Sequence, residues 1–514
     1  MKCPLLLLST LIGLASYGQT WSDDIATIIY NNCSTCHNEQ SIGPFELITY
    51  QQVQAFSTDI IEAVESDYMP PWTADNNYSD LSHSRKLSSE DKTTLLNWLE
   101  SGMPVGLVEN IPPPPVFEYS GFIQAPADLE LTMDAHVSNA TENDDDYICV
   151  SIPSGLTEDK VIKAFEIIPG NPSILHHCLV YIDPTGAYPN DFSGTCVGPS
   201  NDAGLIGGYT PGAVPTVFPS NDEDVNLGIT IPAGSNIVLA MHYPHGSLGE
   251  TDQSSIKLYF YEDDVDHREV STYPLIQNWS FFLPANQETE VSATYSNFNV
   301  DFSILSAFPH MHLIGDNITS YAVTPEEDLI PLINIPHWDF EWQEFYFFQE
   351  LQRVPAGSTL HGTGSYNNTS ENHHNPNDPP LAVGPGLNTS DEMFLVYYHY
   401  LPYLEGDELL DIEALTSLPT HLYEVPMENG STVSVFPNPA SNLVNFELNL
   451  IASSTVSLSI YSSQGQIVSE VLQNQNTPAG INRTVYDSSK LLSGLYYYSL
   501  MVNGAAYSGQ FLIN

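Results

Sequence analysis

Residues 308–315 read Phe308-Pro-His-Met-His-Leu-Ile-Gly315. Side chains at positions i and i+2 of a β-strand point to the same face, so His310 and His312 can bind one metal ion from one strand. Around this stretch, from about residue 117 to 425, short β-branched and aromatic runs alternate with Gly, Pro, Asn and Asp, without a sustained helical period. That texture is typical of β-sandwiches, and three hundred residues suit two sandwiches better than one.

Two further histidine groups lie in the same region: His176-His177, and His242 in an apolar run. Adjacent strand residues normally point to opposite faces, so His176 and His177 can share a metal ion only at a bulge or at a strand end. Imidazole suits copper, zinc and iron, whereas a thioether selects Cu(I), so a Met ligand would decide the metal.

Near the N-terminus, Cys33-Ser-Thr-Cys36-His37 has the C-x-x-C-H spacing at which a c-type haem is attached. Two thiols at this spacing add to the haem vinyl groups, and His37 becomes the proximal iron ligand. A second C-x-x-C that would complete a zinc site is absent from the sequence. Met69, in a Met-Pro-Pro-Trp loop, is the favoured second axial ligand, and Met103 is its competitor.

Residues 21–108 are expected to be helical, with Ser88 at the start of a helix that reaches Leu99. Together with the C-x-x-C-H motif, this layout resembles small secreted cytochrome c domains. The resemblance implies a small all-α domain that carries haem c for electron transfer. A proline-rich linker, residues 109–124, follows it.

The ends and the charge of the chain bear on its location and its partners. Residues 1–18 have the pattern of a secretory signal peptide, and no later apolar segment is long enough to span a bilayer, so an exported protein without a transmembrane segment is expected. Lys and Arg total 11 against 63 Asp and Glu, a net charge of -52, which excludes nucleic-acid binding as a main activity. The acidic side chains are interpreted as a solvated surface, although the run 144–146 is a place where calcium could bind.

Five cysteines remain after the signal peptide. If Cys33 and Cys36 hold haem, an odd number is left, which implies one disulfide and one unpaired thiol.

The order of the histidine motifs is similar to that of the copper type II, ascorbate-dependent monooxygenases, the family that includes peptidylglycine and dopamine hydroxylases. The matching elements are His176-His177, Pro232-Ala-Gly before a strand that ends in His242-Tyr243, His310-x-His312-Leu-x-Gly315, and Asp391-Glu392-Met393 before Tyr397-Tyr398. The resemblance covers about 300 residues. It implies two jelly-roll-like all-β sandwiches, at residues 125–280 and 281–425.

The same resemblance implies two copper ions that face each other across a solvent-filled cleft. His176, His177 and His242 would hold the electron-donating copper, and His310, His312 and Met393 the oxygen-activating copper. It also implies a disulfide between Cys149 and Cys196, with Cys178 as the spare thiol. The family gives no ligand role to the other histidines near these motifs, His245, His337, His361, His373, His374 and His399.

The implied activity is hydroxylation of a C–H bond of a small-molecule substrate with O2, with electrons from an external donor delivered through the haem. Phe308 stands where peptide-amidating relatives carry an Arg that binds the substrate carboxylate, and Leu395 replaces a polar residue two positions after the ligand Met. Both changes favour a neutral or apolar substrate. The alternative is a non-catalytic extracellular haem and copper protein for electron transfer or copper binding.

Residues 434–514 contain Val435-Phe-Pro-Asn-Pro-Ala440, Ile460-Tyr461 and Leu492-Ser-Gly-Leu-Tyr496. This block resembles the C-terminal sorting domain of the type IX secretion system, a β-sandwich. The resemblance implies that the type IX machinery is a partner and that the protein is exported across the outer membrane to the cell surface or beyond.

Overall fold

The computed structural model of the protein describes residues 18–39, 41–112, 114–115, 122–123, 126–142, 144–196, 198–199, 203–221, 225–296, 298–416, 425–426, 431–436, 440, 443–462, 467–488, 490–491 and 494–513. The expected signal peptide lies outside these residues except for Gly18. Parts of the linker 109–124 and of the C-terminal motif, including 437–439 and 492–493, also lie outside them. No helix among the described residues combines the length and the apolar character that crossing a bilayer requires.

The N-terminal segment is helical, as expected. Its elements are a π-helical turn, Trp21–Ile25, then α1 (Ala26–Asn32), α2 (Tyr50–Ala55), α3 (Ser57–Glu65) and α4 (Ser89–Glu100), and a 3-10 turn, Val108–Asn110. The predicted cap is confirmed, because the Ser88 side chain accepts a hydrogen bond from the Asp91 N–H and so satisfies one free donor of the first turn. Trp21, Ile29, Leu95 and Trp98 are buried at the centre of the segment.

A first β-sandwich follows. Its strands are β1 (Leu129–Thr132), β2 (His136–Val137), β3 (Asp146–Pro153), β4 (Lys160–Ile168), β5 (His177–Asp183), β6 (Asp191–Gly194), β7 (Gly204–Tyr209), β8 (Thr216–Val217), β9 (Leu227–Ile231), β10 (Asn236–Tyr243), β11 (Thr251–Asp252), β12 (Ser255–Phe260) and β13 (Arg268–Glu269). One sheet has the order β1-β12-β4-β9-β13 with β8 on β4, the other β6-β3-β10-β5-β7, and β11 pairs with β2. The inner strand β10 is buried along its whole length, which fixes the position of the residues at its end.

The second β-sandwich has two four-stranded sheets, β14-β21-β16-β19 and β15-β20-β17-β18. Its strands are β14 (Ser271–Gln277), β15 (Gln287–Tyr295), β16 (Phe302–His310), β17 (Gly315–Val323), β18 (Leu329–Ile335), β19 (Tyr346–Val354), β20 (Thr359–Asn368) and β21 (Leu395–Pro402). A 3-10 turn, Asp407–Leu409, and α5 (Ile412–Thr416) close it. The strand β14 begins this sandwich, since it pairs with β21.

The C-terminal block is a third sandwich, with sheets β22-β23-β24-β27 and β26-β25-β28-β29. Its strands are β22 (Val425–Pro426), β23 (Thr432–Phe436), β24 (Leu443–Leu450), β25 (Ser454–Ser462), β26 (Ile467–Thr477), β27 (Gly480–Asp487), β28 (Gly494–Val502) and β29 (Ala505–Ile513). The expectation of a predominantly β protein built from several sandwiches is therefore confirmed.

The first and second sandwiches share apolar cores. Leu305, Leu351 and Leu401 of the second sandwich are buried in the same cluster as strands β3 to β10 of the first. A smaller cluster joins Phe308 to the expected disulfide, which the structure forms between Cys149 and Cys196. Shared burial of this kind stabilises one relative placement of the two sandwiches, because separating them would expose apolar surface to water.

Candidate metal centres

The first histidine group assembles at one end of the inner sheet of the first sandwich. His177 is the first residue of β5, His176 immediately precedes that strand, and His242 pairs with His177 from β10. The N–H of His176 donates to the carbonyl of His242 at 3.0 Å. The strand end that the sequence required for adjacent histidines to share a metal ion is therefore present.

The ligand atoms of these three histidines lie within 4.8 Å of one another. His177 Nδ1 is 3.5 Å from His176 Nδ1 and 3.2 Å from His242 Nδ1. Two imidazole nitrogens that each lie about 2.0 Å from one tetrahedral metal ion are separated by about 3.3 Å. The first cluster, His176, His177 and His242, thus has the spacing of a three-nitrogen metal site.

Two groups orient His242 from outside the cluster. Its Nε2 donates to the Asp145 carboxylate at 3.0 Å, which leaves Nδ1 as the free donor atom for a metal ion. The Tyr147 ring stacks on the imidazole at 4.3 Å between centroids. Although burial alone raises the pKa of Asp145, the hydrogen bond and charge of His242 hold that pKa below its ordinary value. The sequence alone favours a solvated acidic surface, with calcium as the alternative at the run 144–146, and does not reveal this contact.

The loop between β18 and β19 places second-sandwich residues beside the first cluster. A carboxylate oxygen of Glu341 lies 3.9 Å from His176 Nε2, and the Trp342 ring is 5.9 Å from the His176 ring. From the same loop, Gln343 reaches the second histidine pair. These side chains of the second sandwich border the two histidine groups, and that of Glu341 is 56% exposed to solvent. The solvent-filled cleft between the groups stays a prediction.

The sequence suggested that His310 and His312 lie on one strand, but in the structure they do not. Strand β16 ends at His310, and His312 lies in the loop that follows, with the two rings 5.1 Å apart and nearly perpendicular. His310 Nδ1 donates to Gln343 Oε1 at 2.6 Å, and His312 Nδ1 donates to the Asp391 carbonyl at 3.1 Å. Each ring therefore presents Nε2 as its free ligand atom.

The segment 391–395 brings Met393 to this pair. Leu395, two residues after Met393, pairs with His310 across β21 and β16, and Met393 is buried. The Glu392 carboxylate accepts from the N–H groups of His312, Ile314 and Met393, at 2.8, 2.9 and 3.2 Å. One buried carboxylate thus ties the loop of His312 to the segment of Met393, a role that the sequence motif did not reveal.

Burial keeps four of the site histidines, His176, His177, His310 and His312, neutral. It lowers the pKa of His176 and of His310 to about 3 and that of His312 to about 4, and it lowers the pKa of His177 well below its ordinary value. Because metal ions bind the neutral imidazole, these four side chains can bind a metal ion at neutral pH without first losing a proton.

A buried histidine outside both sites leads to a pH prediction. His399 is fully buried, and burial lowers its pKa to about 3. The unfolded chain binds a proton at this residue below its ordinary pKa of about 6.5, whereas the folded chain does not, so the free energy of unfolding falls as the pH drops through that range. In metal-free protein, His399→Phe should reduce the loss of stability between pH 7 and pH 5 by about 2 kcal/mol.

Urea denaturation at the two pH values measures this effect. The exposed Leu248 provides the control, since Leu248→Phe removes no titratable group and should leave the difference between the two pH values as it is in the parent protein. An equal pH dependence in parent and His399→Phe would show that His399 is protonated in the folded state.

The C-x-x-C-H motif lies after α1. Cys33 and Cys36 are free thiols, and burial raises the pKa of Cys33 to about 12. His37 is buried, and its Nδ1 donates to the Phe45 carbonyl at 2.9 Å, which leaves Nε2 free as an iron ligand. Two free thiols and one free ring nitrogen are the groups that covalent attachment of haem would use, and haem c itself stays a prediction.

The two methionine candidates lie in different surroundings. Met69 lines a surface pocket with Val64, Leu87 and Lys92, whereas Met103 packs against the helical core that Cys33 also contacts. The choice of Met69 stays a prediction.

Residues 274–412 match the family model of the copper type II ascorbate-dependent monooxygenase C-terminal domain. The second sandwich is therefore similar to this domain family. Residues 434–514 match the secretion system C-terminal sorting domain, which directs type IX export to the cell surface or the extracellular space.

Curated relatives are similar over a longer stretch. The chain is 24% identical over 348 residues to DBH-like monooxygenase protein 2 of Mus musculus, covering 62% of this chain and 52% of that protein. It is 24% identical over 338 residues to dopamine beta-hydroxylase of Homo sapiens, covering 59% and 50%. The chain thus spans about half the length of these relatives. The alignment with a solved β-glucuronidase of Ruminococcus gnavus covers 45% of this chain and 36% of that chain at 11% identity. Its TM-score is 0.12, which is too low to indicate a shared fold.

The central position of His177 in the first cluster gives a metal-binding prediction. His177→Ala should remove one copper ion per chain, because two ligand atoms at the spacing of His176 and His242 bind far more weakly than three. Copper content after dialysis measures the loss. His245→Ala is the matched control, since His245 also contacts Asp145 but is exposed. Retention of the parent copper content by His177→Ala would contradict the assignment of the first cluster.

Proposed function

We propose that the exported protein is a copper-dependent monooxygenase that hydroxylates a C–H bond of a neutral or apolar small molecule with O2. Electrons from an external donor enter through a haem c on Cys33, Cys36 and His37. The proposal depends on the ring nitrogens that the hydrogen bonds leave free to bind a metal ion. These are Nδ1 in the first cluster and Nε2 in the second pair. The family of the second sandwich and the dopamine beta-hydroxylase relatives support it.

Bound copper and haem supply one-electron chemistry and the activation of dioxygen. The protein residues fix where this happens. Asp145 holds the tautomer of His242 in the first cluster, and Gln343 does the same for His310 in the second pair. Met393 completes the second set with a thioether, which favours Cu(I). The presence of a thioether in the second set, and of imidazoles alone in the first cluster, supports the first cluster as the electron-donating site and the second set as the reaction site.

The surroundings of the second set support an apolar substrate class. Phe308 is 1% exposed, and its ring lies 6.2 Å from that of His310 at an interplanar angle of 14°. Leu395 is 2% exposed at the position that pairs with His310. Neither residue offers a charge to a substrate carboxylate, so binding must come from shape and from burial of apolar surface.

Oxygen consumption tests the proposal. Copper- and haem-loaded protein with an artificial one-electron reductant is screened against neutral and apolar compounds under ¹⁸O2. We expect substrate-dependent oxygen uptake and a product that contains one ¹⁸O atom, with the other atom in water. Full metal loading without oxygen uptake for any compound class would favour the alternative, a non-catalytic electron-transfer protein. The observation that favours this alternative is that Phe308 provides no charged group to bind a substrate.

A further inference from the structure

The loop between β18 and β19, residues 336–345, borders both histidine groups and is named the bridging loop. Gln343 accepts the hydrogen bond of His310 Nδ1 at 2.6 Å, and Glu341 lies 3.9 Å from His176 Nε2. The bridging loop lies wholly within the described part of the chain, and none of its residues belongs to a helix or a strand. Its position therefore depends on individual contacts and not on a hydrogen-bonded backbone ladder.

The start of the bridging loop is held by the second sandwich. The Trp338 N–H donates to the Asp316 carbonyl at 2.7 Å, and Trp338 Nε1 donates to the His312 carbonyl at 3.1 Å. Further along the loop, Gln343 Nε2 donates to the Phe340 carbonyl at 2.7 Å. This bond turns the amide oxygen of Gln343 towards the second histidine pair, so the contact with that pair exists only while this part of the loop keeps its place.

The end of the bridging loop is held by the N-terminal segment. Arg85 donates two hydrogen bonds, both of 2.8 Å, to the carboxylate of Glu344. Its Nε donates to the Pro71 carbonyl at 3.0 Å, and its guanidinium lies 5.4 Å from the centre of the Trp72 ring. Both charged side chains are largely buried, at 18% and 12% exposure. A paired, charge-assisted contact of this kind fixes the direction as well as the distance between its two partners.

The stretch of the N-terminal segment that carries Arg85 is itself fixed on the second sandwich, although the first sandwich follows it in the chain. Trp72 and Leu81 are buried in the core of the second sandwich. The Ser82 N–H donates to the Phe347 carbonyl at 2.9 Å. Arg85 therefore approaches the bridging loop from a well-supported position.

We propose that Arg85 is a positioning residue for both histidine groups, because it holds Glu344 and, through it, the bridging loop. Glu344 follows Gln343 directly, and consecutive Cα atoms are about 3.8 Å apart, so a fixed Glu344 leaves few positions to Gln343. The inference rests on the proposed function, whose metal sites it concerns, and it adds the N-terminal segment to the parts of the chain that shape those sites.

A second ion pair separates positioning from general stabilisation. Arg268 donates to both carboxylate oxygens of Asp407, at 2.6 and 2.8 Å, and this pair is buried to a comparable degree. Arg268 also donates to the Pro402 carbonyl, and Asp407 accepts from Ser303 Oγ. Because these contacts join strands and a 3-10 turn, loss of this pair weakens the fold without direct action on the bridging loop.

The metal-free full chain provides the first test. The variant Arg85→Met/Glu344→Gln removes the pair without leaving an unpaired buried charge. In nuclear magnetic resonance of protein with ¹⁵N-labelled histidine, the Nδ1 proton of His310 should give a slowly exchanging signal in the parent, since a hydrogen bond holds it. We expect this signal to disappear in the variant and amide hydrogen exchange in the bridging loop to become about 10-fold faster.

Two further variants define this result. Arg268→Met/Asp407→Asn should keep both the His310 signal and the parent exchange rate in the bridging loop. Arg85→Lys keeps the charge but not the paired geometry, so its exchange rate should lie between those of the parent and of Arg85→Met/Glu344→Gln. The milder change also tests the proposal in a chain that retains its buried cation.

Copper alone, added to the same proteins in competition with a chelator, gives a second readout. Arg85→Met/Glu344→Gln should bind copper at the second set about 10-fold more weakly than the parent, because groups that orient a ligand affect metal affinity by at least this factor. Arg268→Met/Asp407→Asn should bind copper as the parent does.

The parent His310 signal together with parent exchange in the bridging loop of Arg85→Met/Glu344→Gln would overturn the proposal. Equal losses in Arg268→Met/Asp407→Asn would also overturn it, because lower stability alone would then explain the effect. A parent protein that binds no copper would instead overturn the proposed function, and the comparison of metal-free proteins would still decide the role of Arg85.

Discussion

Replacement of His310 by alanine is expected to abolish substrate-dependent oxygen uptake and to lower the copper content from two ions per chain to one. His310 is fixed at the end of β16 by its hydrogen bond to Gln343, and its loss leaves His312 and Met393 as the remaining protein ligands. Two ligands of this kind do not hold copper against dialysis when a third is removed, so the expected effect is complete loss of turnover rather than a change in substrate affinity.

The control is His361→Ala, in the same sandwich, where the imidazole stacks on the Tyr321 ring with 5.1 Å between the ring centroids. This variant should keep both copper ions and the parent rate of oxygen uptake. A His310→Ala protein that hydroxylates substrate at the parent rate would show that the second histidine pair is not the reaction site.

Glu392→Ala should destabilise the second sandwich and empty its metal site together. The carboxylate is buried and accepts three backbone hydrogen bonds, although burial raises its pKa to about 8. Removal of an acceptor from buried N–H groups costs about 1–3 kcal/mol for each group, so a loss of about 3 kcal/mol or more in the free energy of unfolding is expected. Copper loss follows because His312 and Met393 are both tied to this carboxylate.

Urea denaturation of metal-free protein and copper analysis measure the two effects. Glu392→Gln keeps one acceptor oxygen and should fall between the parent and Glu392→Ala, whereas Glu371→Ala, at an exposed position, should match the parent. If Glu392→Ala unfolds at the parent urea concentration and keeps two copper ions, the carboxylate does not organise the site.

Local sequence patterns predicted much of the fold and of the arrangement of the histidines. Alternation and turn residues predicted the sandwiches, since a half-buried strand needs that period. The rule that adjacent strand residues diverge required a strand end at His176 and His177, and β5 begins at His177. The resemblance to a known family implied the Cys149–Cys196 disulfide, which the structure contains. Each of these predictions depends on residues close in sequence or on a family pattern.

The contacts that the sequence did not reveal join residues far apart in the chain. Gln343 binds His310 from 33 positions away, and Glu341 approaches His176 from the other sandwich. The docking of Trp72 and Leu81 on the second sandwich joins residues more than 200 positions apart. Neither hydrophobic period nor motif spacing encodes such pairs, because they depend on how the sandwiches pack. The same reason explains why His312 lies in a loop and not on the predicted strand. The N–H of His312 is hydrogen-bonded to the distant, buried Glu392.

Metal analysis with electron paramagnetic resonance tests the central claim most directly. The mature protein is made in a host that attaches haem and is then reconstituted with copper. We expect one haem iron and two copper ions per chain, with the signals of two magnetically isolated type 2 sites. A single copper ion, or none, in a folded haem-bearing protein would contradict the two-site monooxygenase.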